Sequence, residues 1–258
     1  ETALLKAHGP DVARAAGAGR AVVEFGAGSS RKTPYLLRAI DPAAYVPIDI
    51  SGDFLRDSSA ELARAFPQLP VLPVVGDFNQ PLDLPKEISS MPRLGFFPGS
   101  TIGNMEPGAA VDLLRAMRRL LGEDAMLLIG MDRIKDRDRL IAAYDDAQGV
   151  TAAFNLNLIE RINRELDGDM PIDGFAHRAV WNDEKARIEM HLEAVRPLNF
   201  QVAGARFHME RGETIHTESS HKYGTRDQRV LLRAGGWDPA DEWTDAEGLF
   251  GLVLAQAA

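Results

Sequence analysis

The chain has 258 residues, 45% of them hydrophobic, enough for one large domain or for a domain carrying a sizeable insertion. Its formal net charge of −9 argues against a nucleic-acid surface, because phosphate backbones select clustered Lys and Arg. There is no cysteine, so disulfides and thiolate metal sites are excluded; no stretch reaches the roughly 18 apolar residues of a membrane helix and no secretory leader is visible, which predicts a cytoplasmic protein with no membrane partner.

In chain order, 4–16 predicts a helix and 20–25 (RAVVEF) a buried strand closed by glycine. A helix is expected over 30–40, a strand over 44–50 (AYVPIDI) ending at Asp49, and a helix over 52–66. A third strand is expected over 70–75 (PVLPVV), leading into Gly76-Asp77-Phe78, and a fourth over 93–98 (RLGFFP), running into GSTIGN. A helix at 107–121 precedes a fifth strand at 125–131 (AMLLIGM). Apolar strands alternating with helices predict a parallel sheet covered on both faces, an α/β Rossmann-like fold. From about 137 the pattern changes. Residues 150–166 have helical spacing, and 178–216 alternate like a β-ribbon with an Asn-Asp turn. The reading is a domain of 1–136 and 217–258 with a mixed α/β insertion at 137–216. The tail returns with a helix in QRVLLRAGG and a last strand in GLFGLVLAQ.

The loop after the first strand, VVEFGAGSSRKT at 22–33, admits three readings. A P-loop fails on the spacing from Gly28 to Lys32. A dinucleotide fingerprint places its third glycine on Arg31, which removes the close helix–strand packing that glycine provides. Glu24-Phe25-Gly26-Ala27-Gly28 fits the Glu/Asp-x-Gly-x-Gly loop that opens S-adenosylmethionine sites. That ligand carries no phosphate, and glycines let the backbone approach its amino acid end. Asp49 then suits the ribose hydroxyls and Asp77 the adenine amine, with Phe78 beside the ring, across the C-terminal strand ends. The same acids also serve as ordinary helix caps in other proteins.

Longer stretches carry a resemblance: VVEFGAGSSRKT, YVPIDIS, VVGDF, GSTIGN, AAYDDAQGVTAAFNLNLIERINREL, RIEMHL, GETIHTESSHKY and WTDAEGLFGLVL. From about residue 2 to the C-terminus the chain resembles the histidine-specific methyltransferase family, the EgtD-like enzymes of ergothioneine biosynthesis. The resemblance implies a class I methyltransferase that trimethylates the α-amino group of L-histidine to hercynine, with S-adenosylmethionine as co-substrate. It puts cofactor contacts on Gly26, Lys32, Asp49, Asp77 and Phe78, with Gly99 beside them. It puts histidine contacts on Asn104, Tyr144, Met190, Glu218, Ser219 and Ser220. Asn104 and Tyr144 hold the carboxylate end and position the amine, and Glu218 and Ser220 take the imidazole. The family's N-terminal arm, which ends in a Tyr-rich segment and adds an aromatic contact to the substrate amine, falls before Glu1. The partner expected is the small-molecule substrate alone, with the chain as a monomer.

Competing readings are a related methyltransferase acting on another amino acid such as tryptophan, and a silent scaffold of the same fold. Glu218 and Met190 favour histidine. By alternation alone Glu218 in HTESSHKY belongs to a solvated face. Among His177, His191, His208, His216 and His221, the last two are too loosely spaced for a helical metal pair, and with no carboxylate-rich open site evident no metal is expected. His191 follows Met190 on the ribbon and is expected to point away from it. Arg133, Lys135, Arg137 and Arg139 read as a solvated face.

Overall fold

A computed structural model describes residues 1–28 and 31–258. The chain divides into two compact units, Glu1–Arg133 with Tyr223–Ala258, and Ile134–Lys222.

The first unit is built on a seven-stranded sheet. Its elements in order are α1 (Thr2–Ala16), β1 (Ala21–Phe25), α2 (Thr33–Ile40), β2 (Ala44–Asp49), α3 (Gly52–Ala65), β3 (Val74–Val75), β4 (Arg93–Phe97), α4 (Pro107–Leu121) and β5 (Met126–Asp132). The helix expected from 30 begins with one residue, Ser30, that lies outside the described residues. Five strands are parallel in the order β5-β4-β1-β2-β3. Every residue of β1 is buried, and its side chains alternate between two cores. Val23 and Phe25 pack with Ile48, Phe97 and Ile129 on one face. Val22 packs with Leu36, Leu94 and Leu128 on the other. Burial on both faces is why the strand reads as a continuous apolar run.

Two expectations for this sheet need correction. The third strand is much shorter than 70–75, because Pro70 and Pro73 remove ladder donors; outside Val74–Val75 only a bridge from Val71 to Tyr45 forms. The sheet is also not wholly parallel. The second part of the unit supplies α7 (Thr225–Ala234), β11 (Trp237–Thr244) and β12 (Phe250–Ala257), and both strands run antiparallel to their neighbours. The polar β11 escaped prediction because it is an edge strand, with a register shift at Pro239.

The second unit holds α5 (Arg137–Tyr144), α6 (Val150–Glu165), β6 (Phe175–Asn182), β7 (Arg187–Ala194), β8 (Leu198–Val202), β9 (Ala205–Met209) and β10 (Thr214–His221). Three strands form an antiparallel sheet in the order β10-β7-β6, and β8 and β9 form a separate hairpin. In β7 the side chains of Ile188, Met190, Leu192 and Ala194 are buried while those between them, Glu189, His191 and Glu193, are half-buried. Because β10 pairs with β7 along its length, the boundary falls after Lys222 and not at 216. The segment at 137–144, expected to be part of a changed pattern, is a helix capped by Asp136, whose carboxylate accepts from the Arg139 amide.

Candidate functional site

In the first unit, Gly26, Asp49, Asp77 and Gly99 stand at or just beyond the C-terminal ends of four parallel strands, β1, β2, β3 and β4. The chain runs outward from β1 to β3, then crosses back to β4 on the other side of β1, so this edge includes the point where strand order reverses. Open α/β sheets bind ligands at such a point.

The loop after β1 is folded by its own chemistry. Gly26 and Gly28 take positive φ of 71° and 49°, where a side chain is strained. The Gly26 amide donates to the Ile48 carbonyl at 2.9 Å, and the Gly28 amide to the Asp49 carboxylate at 3.0 Å. Asp49 also accepts from the Ser51 amide at 2.9 Å, so its carboxylate is fixed at the end of β2. Asp77 is held likewise by the backbone and side-chain amides of Asn79 at 2.9 and 2.7 Å. Phe78 packs edge-on against Phe25 and Phe97, with centroids 6.0 and 6.1 Å away. A Cβ at Gly26 would stand 3.6 Å from the Phe78 ring.

Glu24, the acid of the loop motif, has its carboxylate engaged by hydrogen bonds within the fold. It is 2% exposed and accepts from Tyr45 Oη at 2.6 Å and Thr33 Oγ1 at 2.8 Å, tying β1 to β2 and to the start of α2. Burial outweighs both hydrogen bonds and pushes its carboxyl up to about 7. Lys32 forms an ion pair with the Glu1 carboxylate, which also accepts from the Gly99 amide at 2.9 Å. An ammonium and a backbone N–H thus meet one carboxylate in this corner. Gly26, Gly28, Lys32, Thr33 and Gly99 line a cavity of about 280 Å³. Asn104 lies exposed at the end of a short 3₁₀ turn, Thr101–Asn104, after β4. Ser100 starts that turn in the left-handed region at φ 57° and accepts from the Asp132 amide at 2.8 Å.

The second unit assembles the predicted imidazole contacts on one sheet face. Glu218 pairs with Met190 and Ser220 with Ile188 across β10 and β7, and directly opposed residues share a face. Simple alternation from His216 would put Glu218 on the other side. The register shifts between His216 and Glu218, and Thr217 is the extra residue, its hydroxyl donating to the Met190 carbonyl at 2.9 Å. This bulge re-aims Glu218 to the Met190 face. Glu218 is half-buried, and burial raises its carboxyl pKa.

Tyr144, at the end of α5, donates from Oη to Ser220 Oγ at 2.7 Å. Its main-chain carbonyl accepts from His177 Nε2 at 2.7 Å, and His177 Nδ1 meets Asn155 Nδ2 at 2.9 Å. Asn155 is fully buried and donates also to the His191 carbonyl at 3.1 Å. The structure brings Tyr144 and Ser220 together, with Glu218 and Met190 on the Ser220 face. It sets Ser219 apart: that side chain turns to the opposite face, with Oγ 3.1 Å from His216 Nε2.

Sequence reasoning missed Lys222, which is 3% exposed with Nζ 2.8 Å from Tyr144 Oη and 2.9 Å from Ser220 Oγ. The signal was present as the period-two series Glu218, Ser220, Lys222. Reasoning from helical spacing also missed that His191 and His216 are cross-strand partners. With Glu189 they bring one ligand atom each within 4.8 Å. Glu189 is already paired with Arg187 at 2.8 Å, and the two imidazoles stack with centroids 4.9 Å apart at 20°.

The sheet order and the ligand edge define a class I methyltransferase fold. The solved structure of the CcbJ methyltransferase from Streptomyces caelestis matches it at a TM-score of 0.56, covering 97% of this chain and 95% of that one at 15% identity. The chain belongs to the family described as histidine-specific methyltransferase, SAM-dependent, whose profile matches residues 1–257. It is 37% identical to the histidine N-alpha-methyltransferase of Mycolicibacterium smegmatis over 99% of this chain and 80% of that protein. The protein of the same name from Mycobacterium tuberculosis is also 37% identical, with the same coverage.

Proposed function

We propose that this chain transfers methyl groups from S-adenosylmethionine to the α-amino nitrogen of L-histidine, three in succession, giving hercynine for ergothioneine biosynthesis. Family membership supports the co-substrate and the substrate class. The observation that carries the substrate reading is the sheet face on which the bulge at Thr217 sets Glu218 beside Met190 and Ser220. Imidazole offers one donor and one acceptor when neutral. Glu218 accepts from one ring nitrogen and Ser220 serves the other. Phenylalanine or leucine would leave both protein groups unpaired, a large penalty. Met190 is a soft apolar wall.

On the cofactor side, Gly26 lets the backbone approach the methionyl end, and Lys32 and the Gly99 amide take its carboxylate. Asp49 takes the ribose hydroxyls and Asp77 the adenine amine, with Phe78 against the ring. Holding the amino acid end of histidine is the role that the family resemblance gives to Asn104 and to Tyr144. An α-amino group is largely protonated at pH 7, so the neutral amine must be selected and its proton released to solvent. The amine lone pair attacks the methyl carbon in line, and the carbon–sulfur bond breaks with its electron pair going to sulfur. The products are the N-methylated ammonium and S-adenosylhomocysteine. Loss of a proton regenerates the nucleophile twice, and the third transfer leaves a quaternary nitrogen. Rate comes from alignment and from removal of water. An acidic chain of net charge −9 suits two small-molecule ligands and not nucleic acid.

Calorimetric titration of L-histidine in the presence of S-adenosylhomocysteine tests the pocket. Glu218→Ala is expected to weaken histidine roughly 10- to 100-fold, the range for a lost hydrogen bond to a charged group, and to relax the preference toward larger aromatics. Unchanged histidine affinity contradicts the assignment.

A further inference from the structure

Lys222 Nζ, Tyr144 Oη and Ser220 Oγ form a closed triangle with sides of 2.8, 2.9 and 2.7 Å. Lys222 and Ser220 are buried, and the ammonium also lies over the Tyr144 ring, 4.7 Å from its centroid. An ammonium has protons to donate and no lone pair. Both hydroxyl oxygens therefore accept from Lys222. On the remaining side one hydroxyl must donate to the other. Phenol is a stronger acid than an aliphatic alcohol, so Tyr144 donates to Ser220. The serine oxygen then accepts twice, which uses both its lone pairs. Its own proton has to point elsewhere.

We propose that Lys222 is a specificity-determining positioning residue: by holding Tyr144 and Ser220 in this arrangement it makes Ser220 a pure donor, so that the site reads the bare nitrogen of a neutral imidazole. The inference rests on the reading that Ser220 and Glu218 take the substrate ring. Glu218 and Ser220 lie on one sheet face, each opposite a buried residue of β7, Met190 and Ile188. With an acceptor at Glu218 and a donor at Ser220, the ring binds in one orientation and one tautomer. Its N–H meets Glu218, and its unprotonated nitrogen meets Ser220. A ring with no acceptor leaves the serine proton unpaired. A ring carrying two N–H groups sets donor against donor.

Two measurements test this. The first uses the wild-type chain with S-adenosylhomocysteine and L-histidine labelled at the ring nitrogens. Nuclear magnetic resonance is expected to show one protonated and one bare nitrogen, a single neutral tautomer. An imidazolium, or a mixture of both tautomers, overturns the proposal without any variant having to fold. The second is Lys222→Met, titrated with histidine, with thiazolylalanine (a ring acceptor and no N–H) and with pyrrolylalanine (an N–H and no acceptor). Loss of one oriented hydrogen bond is expected to weaken the two acceptor-bearing ligands roughly tenfold and to leave the pyrrole within roughly a factor of two. Equal weakening of all three means that Lys222 merely supports the fold, and it overturns the proposal while leaving the site reading intact. Unchanged histidine affinity in Ser220→Ala overturns the site reading and this inference with it.

Discussion

Glu24 is the sharpest place to test how the glycine loop after β1 is held. Its carboxyl is 2% exposed, between Tyr45 Oη at 2.6 Å and Thr33 Oγ1 at 2.8 Å. Burial raises its pKa from an ordinary 4.5 to about 7 despite those two donors. Between these values the folded chain keeps a proton that the unfolded chain releases, so stability falls as pH rises through that window and levels off above about 7. At about 1.4 kcal/mol per decade the full loss is about 3 kcal/mol, most of it between pH 5 and pH 8. Glu24→Gln keeps the shape and a carbonyl acceptor and cannot ionise, so its stability lacks this slope. Urea unfolding of both proteins at pH 5 and pH 8, followed by tryptophan fluorescence, reads the difference; Trp237 is fully buried in the same unit. The variant is expected to gain on the wild type by about 2–3 kcal/mol on going from pH 5 to pH 8. An unchanged difference between the two proteins at both pH values would refute the assignment of a neutral Glu24 to the fold.

Asp49→Ala removes the carboxylate proposed to take both ribose hydroxyls and the acceptor of the Gly28 amide. S-adenosylhomocysteine affinity should fall roughly 10- to 100-fold by calorimetry, and an unaltered affinity would remove Asp49 from the site. Tyr144→Phe deletes the hydroxyl shared by Lys222 and Ser220; single-turnover methyl transfer should slow by roughly tenfold or more, and an unchanged rate contradicts its positioning role. Asn155→Leu leaves His177 Nδ1 and the His191 carbonyl without their amide donor. It should cost the second unit about 1–3 kcal/mol in denaturant unfolding, and a neutral result would show that the buried network is dispensable.

The glycine loop and the strand-end acids were legible because their chemistry is local: Gly26, Asp49 and Asp77 each sit where a short apolar strand stops. What the sequence concealed depended on pairing between distant strands. Counting alternate residues put Glu218 with His216; the bulge at Thr217 reverses that, and nothing in HTESSHKY announces an extra residue until β7 is laid beside it. The same pairing turns Ser219 away from Glu218 and Ser220, and joins His191 to His216 across two strands. Lys222 was missed because its partner Tyr144 is 78 residues earlier in the chain. The third strand read longer than it is because apolar composition was weighed above the missing N–H groups of Pro70 and Pro73.

The central claim is that this chain methylates the α-nitrogen of histidine. The most direct test supplies it with S-adenosylmethionine and an equimolar mixture of the twenty amino acids, with the products followed by mass spectrometry. Histidine gaining one, two and then three methyl groups, with the other nineteen unchanged, is the predicted result. Methyl transfer to a different amino acid, with histidine left unmodified, would contradict it.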